Sequence, residues 1–150
     1  MKSKKILAVA SGGGHWKQLM LLEPAFTGHN VRFVTTIEGL AEESGISNYI
    51  LVKDSNQNEK LALLYSLLQM FITVIKFRPN VVITTGAAPG VLAIFAGRFV
   101  GAKTIWVDSI ANSEELSLGG KISRKISHAV LTQWEHLANE APVQYKGSVF

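Results

Sequence analysis

Read as a string of apolar and polar positions, the chain alternates between two patterns. Short runs that are apolar or β-branched at nearly every position fall at residues 6–10, 31–35, 49–52, 81–85, 104–107 and 129–132. Runs with no polar alternation predict strands covered on both faces. Between them lie helix patterns. Residues 16–23 are amphipathic and stop before Pro24, and 38–44 form a short acidic turn ending at Gly45. Residues 59–77 make the longest pattern, closed by Arg78-Pro79. Pro89 suits a first-turn position leading residues 90–100 up to Gly101, and 121–127 form a basic turn or two.

Strictly alternating strand and helix patterns predict an α/β fold, a parallel sheet with helices on both faces, in one domain over 1–150. In such sheets ligands bind beyond the carboxyl ends of the strands. That rule picks three loops: "SGGGH" at 11–15, "TGAAPG" at 85–90 and "DSIANS" at 108–113. All three are expected to face one crevice.

Composition narrows the chemistry. The 150 residues are 47% hydrophobic and contain no cysteine, which leaves no disulfide framework, thiolate catalysis or zinc–thiolate site. A metal would have to draw on four histidines and eleven carboxylates, none paired as in H-E-x-x-H. No metal site and no bound cofactor are expected. The net charge of +4 fits an anionic partner without choosing among phosphate, nucleic acid and lipid headgroup. The amino terminus imitates a signal peptide, but its apolar run of residues 6–10 is shorter than the ~7–15 residues of an h-region. A first strand in a cytoplasmic protein is the expectation.

The glycine loop has rivals to meet. A dinucleotide fingerprint needs a third glycine, where Gly12-x-Gly14 is followed by Trp16 and Lys17; Glu38 near the end of strand two keeps that option open. A Walker A loop is missing, as is the acidic pair of a receiver domain. What stays is a general device. Ser11, Gly12, Gly13 and Gly14 let backbone amides at a helix start approach an anion. Histidine titrates near neutral pH, which suits His15 to proton transfer. The plainer reading is a tight turn with a surface histidine. Thr85, Gly86, Pro89 and Gly90 repeat the device in the second loop. In the third, Asp108 and Ser109 follow a strand directly, and Asp108 reads either as a turn or cap aspartate or as a group that orients a histidine or binds a sugar hydroxyl.

Two further features concern surfaces. Within 61–77 the polar positions Ser66, Gln69, Thr73 and Lys76 share one narrow stripe, so the apolar arc is wider than a sheet-covering helix needs. With fifteen uncharged residues from 61 to 75 it falls short of the ~20 of a span. The surplus face is expected in the core, against a partner chain or on lipid. Lys121, Arg124 and Lys125 gather on one turn, either as a solvated basic face or as a contact for pyrophosphate or membrane; no aromatics interleave with them to suit nucleic acid.

Taken in order, "SGGGHW", "TTGAAPG", "VDSIANSEELSLGGK", "LTQWEHL" and "YKGSVF" resemble the small subunit of two-chain glycosyltransferases. That family includes the membrane-recruiting subunit of the transferase adding the second N-acetylglucosamine to dolichol-pyrophosphate. It also includes capsule and exopolysaccharide proteins of bacteria, among them an enhancer of a partner transferase. The glycine–histidine loop is also similar to that of the transferase making lipid II. The resemblance implies a Rossmann-like fold equivalent to the N-terminal half of a GT-B enzyme, the half that handles a polyprenyl-pyrophosphate-linked saccharide acceptor. It implies a partner subunit binding the nucleotide-diphosphate sugar, a UDP-sugar, and a peripheral position at the inner face of the membrane. In that picture one half of an inverting hexosyltransferase stands here, with His15 as base, Asp108 orienting it or holding the acceptor sugar, Gly12–Gly14 on a phosphate and Lys121 attracting the charged lipid. The alternative is a non-catalytic adaptor that recruits and activates the partner. Eukaryotic members carry an amino-terminal anchor, whereas the first strand here is expected within five residues of Met1, so membrane contact falls to 61–77 and the basic cluster. The loop acid is Asp108 where glutamate is expected in eukaryotic members.

Overall fold

Seven strands, all parallel, form one sheet in the order β3-β2-β1-β4-β5-β6-β7. They are β1 (Lys5–Val9), β2 (Asn30–Thr35), β3 (Tyr49–Leu51), β4 (Val81–Thr84), β5 (Lys103–Val107), β6 (Ala129–Thr132) and β7 (Val143–Tyr145). The helices are α1 (Gly13–Leu22), α2 (Leu40–Glu43), α3 (Lys60–Phe77), α4 (Ala87–Phe99) and α5 (Leu118–Ile126). The computed structural model describes residues 2–54 and 59–150; the one-domain expectation over 1–150 also takes in Met1 and 55–58, which lie outside the described residues.

The six strands expected from apolar runs are all present, within a residue or so at each end. The seventh, β7, was not among them. Its sequence Val-Gln-Tyr has one buried position and sits at the sheet edge, paired only with β6, so its apolar pattern is too short to read. Helices α1, α4 and α5 each start three residues earlier than expected, while α2 and α3 start one or two later. Gly13, Gly14 and His15 belong to the first turn of α1, and Pro89 is the third residue of α4. A helix leaves its first amides unpaired in any case, so Pro89 loses no hydrogen bond there. Helix α5 begins at Leu118, with the Ser117 hydroxyl accepting from the Gly120 amide as its cap.

Alternate residues of the strands feed two cores. Leu7, Val9, Val34 and Val82 point towards α3 and α4, which bring Met70, Val74, Ala93 and Ala96. Ile6, Ala8, Phe33 and Ile83 point the other way, towards Trp16 and Leu19 of α1 and Phe26. Trp106 and Val130 extend the first face beneath α4 and α5. Helix α4 lies close on the sheet because two of its residues are glycine. A Cβ at Gly90 would stand 2.2 Å from the Thr84 hydroxyl, and one at Gly97 2.7 Å from Val82. The closeness expected of Gly90 towards a ligand is therefore closeness to the sheet.

Helix α3 is mounted with its polar stripe inward. Ser66 and Thr73 are buried, the Ser66 hydroxyl donates to the Lys53 carbonyl, and the Gln69 side chain accepts from the Lys53 amide. These bonds hold the stretch leaving β3. The outward stripe is Leu61, Leu64, Leu68, Ile72 and Ile75, all exposed. Its spacing of three and four residues keeps it on one side of the helix. Helix α3 has the length and composition of a membrane span, but Met70 and Val74 are wholly buried against the sheet, so it lies along the molecule's surface.

Candidate functional site

Strand β1 sits between β2 and β4, so the chain leaves it outward on one side and returns on the other. At that reversal the loops after β1 and β4 diverge and leave a crevice at the carboxyl ends of the strands. Both loops enter their helix through a left-handed residue. After β1, Gly12 is followed by Gly13 at φ +58°; after β4, Gly86 at φ +136° is followed by Ala87 at φ +66°. Each step opens a helix towards the crevice. A left-handed conformation costs an alanine roughly 1–2 kcal/mol, strain of a kind that sites retain.

His15 joins the two loops. Its Nδ1–H donates to the Thr85 carbonyl at 2.9 Å, and the Thr85 hydroxyl donates to the His15 carbonyl at 2.6 Å. A carbonyl oxygen only accepts, so the proton of the neutral ring resides on Nδ1 and the lone pair on Nε2. Among the described residues, Nε2 has no hydrogen-bond partner. The ring lies against Gly86, where a Cβ would stand 2.5 Å from Nδ1 and 2.6 Å from Cε1. Glycine is required there by φ and by contact together.

Beside His15 opens a cleft of about 500 Å³. Ala87, Ala88, Val91 and Leu92 of α4 form its base, with Trp106 beneath; Leu63 of α3 stands on one side, and Leu118 and Ile122 of α5 on the other. Helices α4 and α5, whose first turns line it beside His15 of α1, turn positive ends towards it.

Asp108 is elsewhere engaged. It is 2% exposed; Oδ1 accepts from the Trp106 indole at 2.9 Å and from the Ser117 hydroxyl, and Oδ2 accepts from the Ser117 amide at 2.9 Å. The carboxylate thus holds the residue that caps α5, and through Trp106 it steadies one wall of the cleft. The nitrogen-orienting partner of His15 is the Thr85 carbonyl instead. The reason lies in burial: a carboxylate removed from water needs several donors, and the loop from 109 to 117 wraps back to supply them. Buried Gln18 and Gln133 both donate to the Asp108 carbonyl, pinning the same loop from the other face.

The remaining expected site residues divide. Ser11 gives its carbonyl to the Thr35 hydroxyl, and Gly12 faces Ile37. Gly13 and Gly14 are exposed with open space where a Cβ would point. Pro89 and Gly90 are buried in α4, and the Ser109 hydroxyl accepts from the Ala111 amide as a local turn. Lys121 is not in the His15 cleft. It pairs with Glu115 at 2.7 Å in a separate groove that also holds the Arg124–Glu140 pair at 3.2 Å. Both pairs are solvent-exposed, the kind worth ~0–1 kcal/mol. The apolar lining, Leu63, Val91, Leu92, Leu118 and Ile122, was not anticipated, because single apolar residues carry no signal of which face they occupy. Among the described residues no His, Asp and Glu side chains cluster in a way that could hold a metal ion.

Comparison with known proteins fits this geometry. The family model described as oligosaccharide biosynthesis protein Alg14 like matches residues 44–149, taking in the second and third loops and leaving out 11–15. The chain is 32% identical over 91 residues to the UDP-N-acetylglucosamine transferase subunit ALG14 of Candida albicans, covering 56% of this chain and 42% of that one. It therefore spans less than half the length of that relative. Its fold is similar to MurG of Acinetobacter baumannii (TM-score 0.79, 11% identity, 95% of this chain and 45% of that one). It is similar too to the UDP-N-acetylglucosamine 2-epimerase of Rickettsia bellii (TM-score 0.75, 17% identity, 99% and 46%). Likeness at these identities is one of fold, and the fold is Rossmann-like, equivalent to one half of a GT-B glycosyltransferase such as MurG.

Proposed function

The chain belongs to the Alg14-like family of oligosaccharide biosynthesis proteins, and from that premise we propose that it is the acceptor-side subunit of a two-chain glycosyltransferase. A partner chain binds the nucleotide-diphosphate sugar, a UDP-sugar. This chain receives the hydroxyl of a polyprenyl-pyrophosphate-linked saccharide. The observation that carries the reading is His15: a ring locked by Thr85 and Gly86, with its unshared pair on Nε2, in a residue that lines an apolar cleft.

The chemistry follows from that nitrogen. The acceptor oxygen attacks the anomeric carbon of the donor sugar from the side opposite its leaving group. The bond from that carbon to the nucleoside diphosphate breaks, the configuration inverts, and the acceptor proton passes to Nε2. The Thr85 carbonyl then stabilises the imidazolium through Nδ1–H, as a buried acceptor does in other base–orienter pairs. Gly13 and Gly14, exposed at the start of α1, are the backbone that meets phosphate across the subunit boundary.

The membrane supplies the acceptor, and the outer face of α3, α4 and α5 suits it. None of the eleven Asp and Glu residues lies in these helices, which carry Lys60, Lys76, Arg98, Lys121, Arg124 and Lys125. Leu61, Leu64, Leu68 and Ile72 of α3 and Phe95 and Phe99 of α4 are exposed beside these cations. Apolar side chains flanked by cations bind an anionic lipid surface. On this reading the protein is peripheral, at the cytoplasmic side.

Sugar transfer to membrane acceptor, measured for the chain alone, with its partner, and with its partner plus His15→Ala, tests the proposal. Activity is expected only with the partner, falling about 10²–10⁴-fold in the variant. Transfer unchanged by His15→Ala would make the chain an adaptor that recruits and activates the partner, and transfer by the chain alone would overturn the half-enzyme reading.

A further inference from the structure

Resting on that reading, we propose that the cleft beside His15 grips the first isoprene units of the acceptor, taken in from the lipid surface between α3 and α5. Its volume of about 500 Å³ lies within the range of small-molecule pockets. Apart from His15 and Ser117, every residue lining it is apolar or glycine. A saccharide would leave such walls without hydrogen bonds, and walls of this kind gain by taking hydrocarbon out of water.

Two observations specify an amphiphile rather than a plain hydrocarbon. No carboxylate lines the cleft. Ala87 and Ala88, and Leu118 and Gly119, are the opening residues of α4 and α5, so the same walls carry two positive helix ends. An anionic head at that end and a hydrocarbon tail along α4 match both features. The other end is continuous with lipid-facing surface: Leu118 is 59% exposed and Ile122 42%, and α3 adds the outward stripe from Leu61. A chain lying in the bilayer reaches His15 along that path without crossing water.

The isoprenoid, not the acyl chain, is the committed occupant. The polyprenyl phosphate is the part of the acceptor nearest its sugar, and His15 needs that sugar beside it. The cleft's floor is a rigid indole: Trp106 is 1% exposed and tied to Asp108, and Gly119 leaves room for its ring, 2.4 Å from where a Cβ would stand.

The test uses the whole chain and titration calorimetry with farnesyl phosphate, dodecyl phosphate and inorganic phosphate. Saturable binding of farnesyl phosphate is expected, about tenfold tighter than dodecyl phosphate, with no heat from inorganic phosphate at the same concentrations. Val91→Phe fills the cleft and is expected to weaken binding about tenfold or more. Leu118→Gln, at a site too exposed to threaten the fold, is expected to weaken it several-fold. A diazirine-bearing farnesyl phosphate should label peptides of α4 and the start of α5. Equal affinity for dodecyl phosphate, unchanged affinity in both Val91→Phe and Leu118→Gln, or label confined to the outer stripe of α3 would overturn the assignment. The two readings fail separately. Sugar transfer by the assembled pair without any farnesyl phosphate binding sinks the cleft alone, whereas binding without transfer keeps the cleft and counts against the transferase.

Discussion

His15 is held by the Thr85 carbonyl, by the Thr85 hydroxyl on its own carbonyl and by the close backbone of Gly86. A side chain at Gly86 therefore acts on the histidine before it acts on anything else. Gly86→Ala is expected to push the imidazole off its place and lower transfer by the assembled pair about 100-fold, the usual effect of a displacement near 1 Å. Lipid-surface binding should be retained, so a vesicle flotation assay run beside the activity assay separates the two. At this scale the sequence was partly legible. Gly13, Gly14 and His15 follow an apolar strand and stand where the rule of carboxyl ends puts them. Asp108 was not legible, because its role depends on Trp106 beside it and on Ser117 nine positions along, both of which the fold brings to it. Gly90 misled for a related reason: close approach can be read from a glycine, but not what approaches.

Helix α3 shows the same limit one level up. The wide apolar arc and the narrow polar stripe were visible in the chain, and so was the need for cover. Which side turned inward was not, because Ser66 and Gln69 find their partners in the backbone of Lys53, across the connection from β3. Buried hydroxyls and amides need such partners, and only the folded chain has them. The outward stripe then becomes a testable surface. Leu64 is 63% exposed and Leu68 57%, so glutamine at both should leave thermal stability within about 0.5 kcal/mol. The same double variant is expected to bind anionic vesicles about tenfold more weakly in a sedimentation assay, as roughly two exposed leucines' worth of hydrocarbon is lost from the contact. Unchanged binding would move the lipid contact to another face. Strand β7 marks the opposite case, an element too short and too exposed to have a pattern of its own, present because β6 offers it an edge.

At the scale of the whole molecule, His128 makes a pH-sensitive link away from the site. Partial desolvation of an otherwise exposed ring, then the neighbouring charges of Arg98 and Lys103, hold His128 below its ordinary value of 6.5. Its Nδ1 and Nε2 lie 3.1 Å from the Thr104 amide and 2.8 Å from Arg98, tying the end of α4 to the starts of β5 and β6. As pH falls through 6.5 the unfolded chain takes up this proton before the folded one does, so stability declines below that point. Urea midpoints measured between pH 7.5 and about 5.5 should fall, and His128→Gln should flatten that part of the curve; parallel curves would exclude His128 as a source. The strand order has a consequence of another kind, for the chain while it is being made. Of the seven strands β1 is the first to be synthesised, yet it lies inside the sheet, with Ile6 to Val9 paired to Val81 to Thr84 on one side. Until β4 is synthesised, that ladder of β1 has no mate. At ~5–20 residues per second the nascent β1-β2-β3 piece waits on the order of seconds with an open apolar edge. Such an edge pairs with any strand it meets. Production of this protein is thus expected to improve when that interval is shortened or covered, by brisk translation through β4 or by a chaperone at the exit tunnel.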